Sequence, residues 1–298
     1  MAISWFPGHM NKARKELGKI MSQANVLLDV RDARMPLASE NPLIASSAGD
    51  AMHLVLLNKC DLIDDVSLAA WQAYFTRLTG SPCLTCSKDE AFGAESVIQL
   101  IRREITRRGL PVSRFRTLTI VVAGIPNVGK STLMNKLADR KLARTGNEPA
   151  ITRSQQRIRL ADDCYLIDTP GLMKPRLEDQ EAACLLAAAG TIRQTAIDLE
   201  EVAWHFAQWL IDKEPESLRA RYGFSAPAAS PGDSSTVESL FLSIARSRGA
   251  LSGGGQPDWH KVANLLLNDF RSGKLGKLSL ESPPHPPAAP AKGTCESD

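Results

Sequence analysis

Short apolar, β-branched runs recur through the first half of the chain, each closing in a polar or glycine-containing turn: NVLLDV at 25–30, MHLVLLN at 52–58, CLTCS at 83–87, LTIVVAG at 118–124 and CYLID at 164–168. Helical spacing separates them at about 64–78, 94–108 and 130–139. Apolar runs alternating with helices predict a mostly parallel sheet covered on both faces. From about residue 177 the strand signal stops, and Ala/Leu-rich helical patterns follow at about 179–190, 198–212, 215–222, 235–248 and 258–271. SAPAASPGD (225–233) and GALSGGGQP (249–257) read as loops between those helices. ESPPHPPAAPAKGTCESD (281–298) is too rich in proline and too poor in apolar residues to pack, and a disordered tail is expected there. The pattern therefore divides into an α/β domain over 1–176, an all-helical domain over 177–280 and the tail.

Composition sharpens this division. The 298 residues are 43% hydrophobic, enough to bury a core. The 36 basic and 33 acidic side chains leave a net charge of only +3, which excludes a chain that coats nucleic acid indiscriminately. Residues 1–176 carry 25 basic against 17 acidic side chains, whereas 177–298 carry 11 against 16. No apolar run approaches the roughly 18 residues needed to span a bilayer. The cysteines at 60, 83, 86, 164, 184 and 295 show no disulfide framework, and no secretory leader is visible, so a reducing interior is expected. Cys83 and Cys86 form a C-x-x-C without a second ligand pair and read as part of a buried strand. The basic start, with Lys12, Arg14, Lys15 and Lys19 against Glu16, resembles an organelle transit peptide, but Pro7-Gly8 interrupts any helix there. A cytoplasmic setting is expected, with the mitochondrial matrix or another organelle as the alternative.

Gly124-Ile-Pro-Asn-Val-Gly-Lys-Ser131 matches G-x-x-x-x-G-K-[ST], directly after an apolar strand and before a helix. Such a loop turns backbone N–H groups toward phosphates. Asn127, Val128, Gly129, Lys130, Ser131 and Thr132 would line them, with Lys130 as a catalytic point charge and the Ser131 hydroxyl on Mg²⁺. Asn58-Lys59-Cys60-Asp61 is an N-K-x-D. The Asp61 carboxylate, acceptor-only, fits the N1–H and amino edge of guanine and not adenine. Lys59 would lie along the base, and Asn58 would tie this loop to the phosphate loop. Thr85-Cys86-Ser87-Lys88 would bring a backbone N–H toward the guanine O6. Asp168-Thr-Pro-Gly171 would supply an Asp that holds Mg²⁺ through water and a Gly whose N–H senses the γ-phosphate, and Thr152 is the candidate to complete the magnesium shell.

These motifs occur in the order 58–61, 85–88, 124–131, 152, 168–171. A conventional GTPase begins with the phosphate loop, so the fold class expected is a circularly permuted P-loop GTPase domain followed by a small helical one. The Asp168–Gly171 switch then becomes the last element before the helices, where loss of the γ-phosphate could reposition them. Leu172 occupies the position where many GTPases place a water-orienting glutamine, which predicts slow intrinsic turnover.

The opening Trp5-Phe-Pro-Gly-His-Met10, the segment DVRDARMPLASENP (29–42), the permuted order and the closing DFRSGKLGKLSLE (269–281) together resemble the YlqF or RbgA family of ribosome-biogenesis GTPases, over essentially residues 1–281. That resemblance implies late assembly of the large ribosomal subunit, with GTP hydrolysis driving release. It also implies His9 as the group that positions the attacking water, and Asn127 as a ligand that holds K⁺ against the phosphates. The implied partners are the large-subunit precursor, its rRNA and ribosomal proteins. No membrane partner and a monomeric state away from the ribosome are expected.

The helical half suggests where RNA would bind. Residues 177–216 carry 2 basic and 9 acidic side chains, whereas 241–280 carry 6 basic and 2 acidic. Lys261 and Arg271 fall on the polar face of the 258–271 helix, joined by Arg246, Arg248, Lys274 and Lys277. The N-terminal residues Lys12, Arg14 and Lys15 are a second candidate contact. The competing functional reading is a nucleotide-gated rRNA-binding module with negligible hydrolysis, motivated by Leu172. An ATP-dependent kinase is disfavoured by Asp61.

Overall fold

A computed structural model describes residues 17–89, 92–110, 116–139, 157–169, 171, 179–192, 197–225 and 234–284. Its strands are β1 (Val26–Asp32), β2 (Met52–Asn58), β3 (Leu84–Cys86), β4 (Leu118–Ala123), β5 (Arg157–Ala161) and β6 (Cys164–Asp168). They form one six-stranded sheet in the order β3-β2-β1-β4-β6-β5. All neighbours are parallel except β5, which runs antiparallel to β6 at the edge.

Alternation along the strands assigns each side chain to a face. Leu28, Val30, Leu54, Leu56, Ile120, Val122 and Leu166 enter one core. Leu27, Val121, Ala123 and Ile167 enter a second with the helical residues 17–21, and Val55 and Leu57 a third with Trp71 and Phe75. Helices α1 (Pro42–Ser46), α2 (Asp65–Thr79), α3 (Ala94–Arg107) and α4 (Lys130–Leu137) accompany these strands. The helical half contains α5 (Gln180–Ala188), α6 (Leu199–Lys213), α7 (Pro215–Tyr222), α8 (Ser234–Arg248) and α9 (Trp259–Arg271). Aspartates 64, 179, 198 and 258 cap the N-termini of α2, α5, α6 and α9, accepting from backbone amides.

Two expectations need correction. β5 carries no strand in the sequence reading, because only Ile158 of its five residues is buried and its apolar signal is weak. The tail does not begin at 281: both Glu281 carboxylate oxygens accept backbone hydrogen bonds, from Leu37 N (2.7 Å) and Ala38 N (2.8 Å). After α9 the chain leaves the helices and runs back along the α/β half, where Leu278 N donates to Leu62 O and Leu280 N donates to Arg34 O, both at 2.9 Å.

Candidate nucleotide site

Parallel strands bring their carboxyl ends to one edge of the sheet, the edge where open α/β folds bind ligands. Register aligns Asp32 with Asn58, Asn58 with Cys86, and Val122 with Asp168. The loops after β2, β3, β4 and β6 thus leave the sheet side by side, despite their shuffled order in the chain.

The phosphate loop runs from Ala123 into α4. Gly129 adopts φ +99°, and a Cβ there would collide with the Asn58 side chain, so glycine allows the two loops to touch. Asn58 Nδ2 donates to Val128 O at 2.6 Å. Lys59, itself in the left-handed region at φ +62°, donates from Nζ to Asn127 O (3.1 Å) and to Asp32 Oδ2 (2.7 Å). Asp61 follows in a short 3₁₀ turn, Cys60–Leu62, with its carboxylate exposed. At the end of β3, Cys86 and Ser87 are buried, Ser87 O accepts from Lys136 Nζ (2.5 Å), and Lys88 is exposed.

Lys130 is buried and donates to Gly124 O (3.0 Å) and Ile125 O (2.8 Å). Burial pushes its ammonium down to about 8, opposed by the charge of Asp168, itself 1% exposed. Gly171 sits against Pro126 so closely that a Cβ would be 3.0 Å from its backbone, which brings the D-x-x-G segment onto the phosphate loop. Ser131 is half-buried and Thr132 exposed at the start of α4. Asn127, at φ +58°, donates from Nδ2 to Gly190 O just beyond α5 (2.5 Å). His9, Thr152, Leu172 and the basic residues Lys12, Arg14 and Lys15 lie outside the described residues.

The basic surface of the helical half is only partly as expected. Arg246 is exposed. Lys261 Nζ donates to Gly249 O (2.9 Å), Arg248 to Arg221 O (3.4 Å), and Lys277 pairs with Asp65 (2.9 Å). Lys274 lies 3.7 Å from Asp269. Arg271 is a correction: its guanidinium turns inward and donates to Ala188 O (2.7 Å) and Ala187 O (3.2 Å), satisfying the C-terminus of α5 rather than facing solvent. Helical spacing put it on the polar face but could not show a neighbouring helix end waiting for a cation. The sequence reading also missed Asp32 and Arg34, both 1% exposed. Asp32 carried a signal, as a charge closing the apolar run of β1, and Arg34 follows two residues later.

The C-x-x-C brackets β3, with Cys83 just before the strand and Cys86 its last residue. Cys83 and Cys86 are buried, and desolvation raises the Cys83 thiol to about 12. Among the described residues no cluster of three or more His, Cys, Asp or Glu could hold a metal, and no helix is long and apolar enough to cross a membrane.

Comparison with known proteins bears on the same loops. The family described as "50S ribosome-binding GTPase" matches residues 119–216. Ribosome biogenesis GTPase A of Bacillus cereus is 36% identical over 95% of both chains. This chain belongs to the ribosome biogenesis GTPase A family, whose members are ribosome-assembly GTPases. Mitochondrial ribosome-associated GTPase 1 of Mus musculus is 31% identical over 93% of this chain and 89% of its own. The crystal structure of GNP-bound YlqF from Thermotoga maritima shares the fold, with a TM-score of 0.63 and 24% identity over 91% of this chain and 98% of that one. The permuted fold and GTPase activity expected from the motif order accordingly stand.

Proposed function

We propose that this chain binds GTP with Mg²⁺ at the strand-edge site and hydrolyses it while bound to a precursor of the large ribosomal subunit, contacting its rRNA and proteins. The observation that supports this best is the pairing of base loop with phosphate loop through Asn58–Val128 and Lys59–Asn127. On this reading the Asp61 carboxylate would read guanine and the 124–131 loop would cradle the phosphates of the same nucleotide. Ser131 and Asp168 would hold Mg²⁺, the Asp through water, since a hydroxyl and a carboxylate are the hard-oxygen donors that ion prefers. The bound ion would offset charge on the β- and γ-phosphates, while Lys130 neutralises the transferred group.

Asn127 Oδ1 is the atom that would ligate K⁺, since its amide nitrogen donates to Gly190 O. His9 would position the attacking water in place of Leu172. Exposed Arg246, Lys261, Lys274 and Lys277, together with Arg248, Lys12, Arg14 and Lys15, would meet RNA phosphates. The protein would act as a monomer off the ribosome, in the cytoplasm or in an organelle with its own ribosomes.

Phosphate release measured with and without large-subunit particles, in Na⁺ and in K⁺, tests the enzyme reading. Particle-stimulated turnover is expected, and its absence would favour a nucleotide-gated RNA-binding module. Exchanging the acceptor for a donor in Asp61→Asn should weaken GTP binding about 100-fold or more and favour xanthosine triphosphate. Unchanged GTP preference in that variant would remove the guanine assignment.

A further inference from the structure

Two segments that carried the family resemblance, 29–42 and 269–281, take no part in the phosphate chemistry above, yet the fold presses them together behind the base loop. Arg34 closes a fork on Asp32, with Nε to Oδ1 at 3.0 Å and Nη2 to Oδ2 at 2.8 Å. Its remaining terminal nitrogen, Nη1, donates to Phe270 O at the end of α9 (3.1 Å), and the guanidinium lies 4.3 Å from the Phe270 ring centroid. The Arg34 carbonyl accepts from Leu280 N, and Glu281 clasps the amides of Leu37 and Ala38. Asp32 Oδ2 is shared, because it also accepts from Lys59 Nζ. On the other side of the base loop, Leu278 N donates to Leu62 O, one residue past Asp61.

We infer that Asp32 is a positioning residue for guanine binding, held in place by Arg34 and the closing segment 270–281, so that docking of this segment and nucleotide affinity are coupled. The inference rests on the guanine-nucleotide reading of the site. Lysine is a flexible point charge, and holding Lys59 along the base while its ammonium reaches Asn127 O requires a fixed counter-charge. A carboxylate gripped by a planar guanidinium fork is such an anchor. The fork in turn is oriented by Phe270 O, which belongs to the helical half. Removing the closing segment deprives Arg34 of that acceptor and loosens Asp32, and with it Lys59. Linkage is reciprocal: whatever draws residues 270–281 away lowers nucleotide affinity by the factor that nucleotide resists the withdrawal.

Fluorescent GDP binding to the full chain tests this. Asp32→Asn and Arg34→Gln should each weaken GDP by about tenfold, and Glu281→Gln, which touches neither base loop nor phosphate loop, by about fivefold. Arg34→Lys should recover part of the loss, because it keeps a cation beside Asp32 without the fork. In GTP turnover the losses should fall on KM with kcat retained, since none of these groups reaches the phosphates. Val237→Ala, in the helical core, should lower the melting temperature and leave GDP affinity alone. Hydrogen exchange of residues 270–281 in the wild type should slow several-fold with GDP. Clasp variants within twofold of the wild type, an equal loss in Val237→Ala, or exchange indifferent to GDP would each overturn the coupling. A wild type that fails to bind GDP would instead overturn the nucleotide reading itself.

Discussion

Lys130 shows how much of the site's chemistry is decided by a single buried charge. Its ammonium is surrounded by backbone carbonyls and faces Asp168, and desolvation holds it down to about 8. An unfolded lysine titrates near 10.4, so between about 8 and 10.4 the unfolded chain binds more protons than the folded one. Stability attributable to this group therefore rises with pH across that window. Below about 8 both states are protonated, and its desolvation penalty is constant. Phosphates arriving beside Lys130 add negative charge and raise its pKa, so binding must take up a proton where the free protein has lost it. GDP titration calorimetry in two buffers of different ionisation enthalpy should show proton uptake that is larger at pH 8.5 than at pH 7.5. Proton uptake that does not grow with pH would show that Lys130 is already charged in the free protein, against the desolvation that holds its pKa down.

At the scale of elements, the end of α5 is the point where a basic side chain changes role. The last carbonyls of α5 need donors, and Arg271 supplies them from the end of α9, packed against Gly190. Arg271→Ala should lower stability by about 1–2 kcal/mol, read as a fall in the melting temperature, and leave association with ribosomal particles intact. Arg246→Ala, at an exposed position, should shift stability by no more than about 0.5 kcal/mol and weaken particle association with a shallower salt dependence. The reverse pattern would return Arg271 to the RNA surface.

The same contrast explains what was legible beforehand. Helices with capping aspartates and regular apolar spacing lie within a few residues of their predicted bounds, because those signals are local. The motif loops were legible for the same reason, each being a contiguous string with its own chemistry. What escaped depended on partners far along the chain, as with Arg34 and Phe270, 236 residues apart. β5 escaped because an edge strand with one buried residue carries too little hydrophobic pattern to announce itself.

For the whole molecule, the question is whether the two halves melt as one. Domains joined by a linker unfold separately unless their shared surface is large and apolar. Here a single buried cluster runs from the sheet residues Val30, Leu56 and Ile120 to Leu186, Phe206, Phe241 and Phe270 of the helices. The closing segment adds backbone hydrogen bonds from Leu278 and Leu280 to Leu62 and Arg34, which tie the residues after α9 to the α/β half. That cluster is continuous across both halves, so losing either half would leave apolar side chains of the other uncovered. Calorimetric unfolding of the full chain should accordingly give one transition. GDP at about 100 times its Kd should add about 2.7 kcal/mol to that whole transition and shift it intact. If two transitions appear and GDP moves only one, the helical half is an independent body, and a switch at Asp168–Gly171 would have to act on it through the connecting chain rather than through a common core.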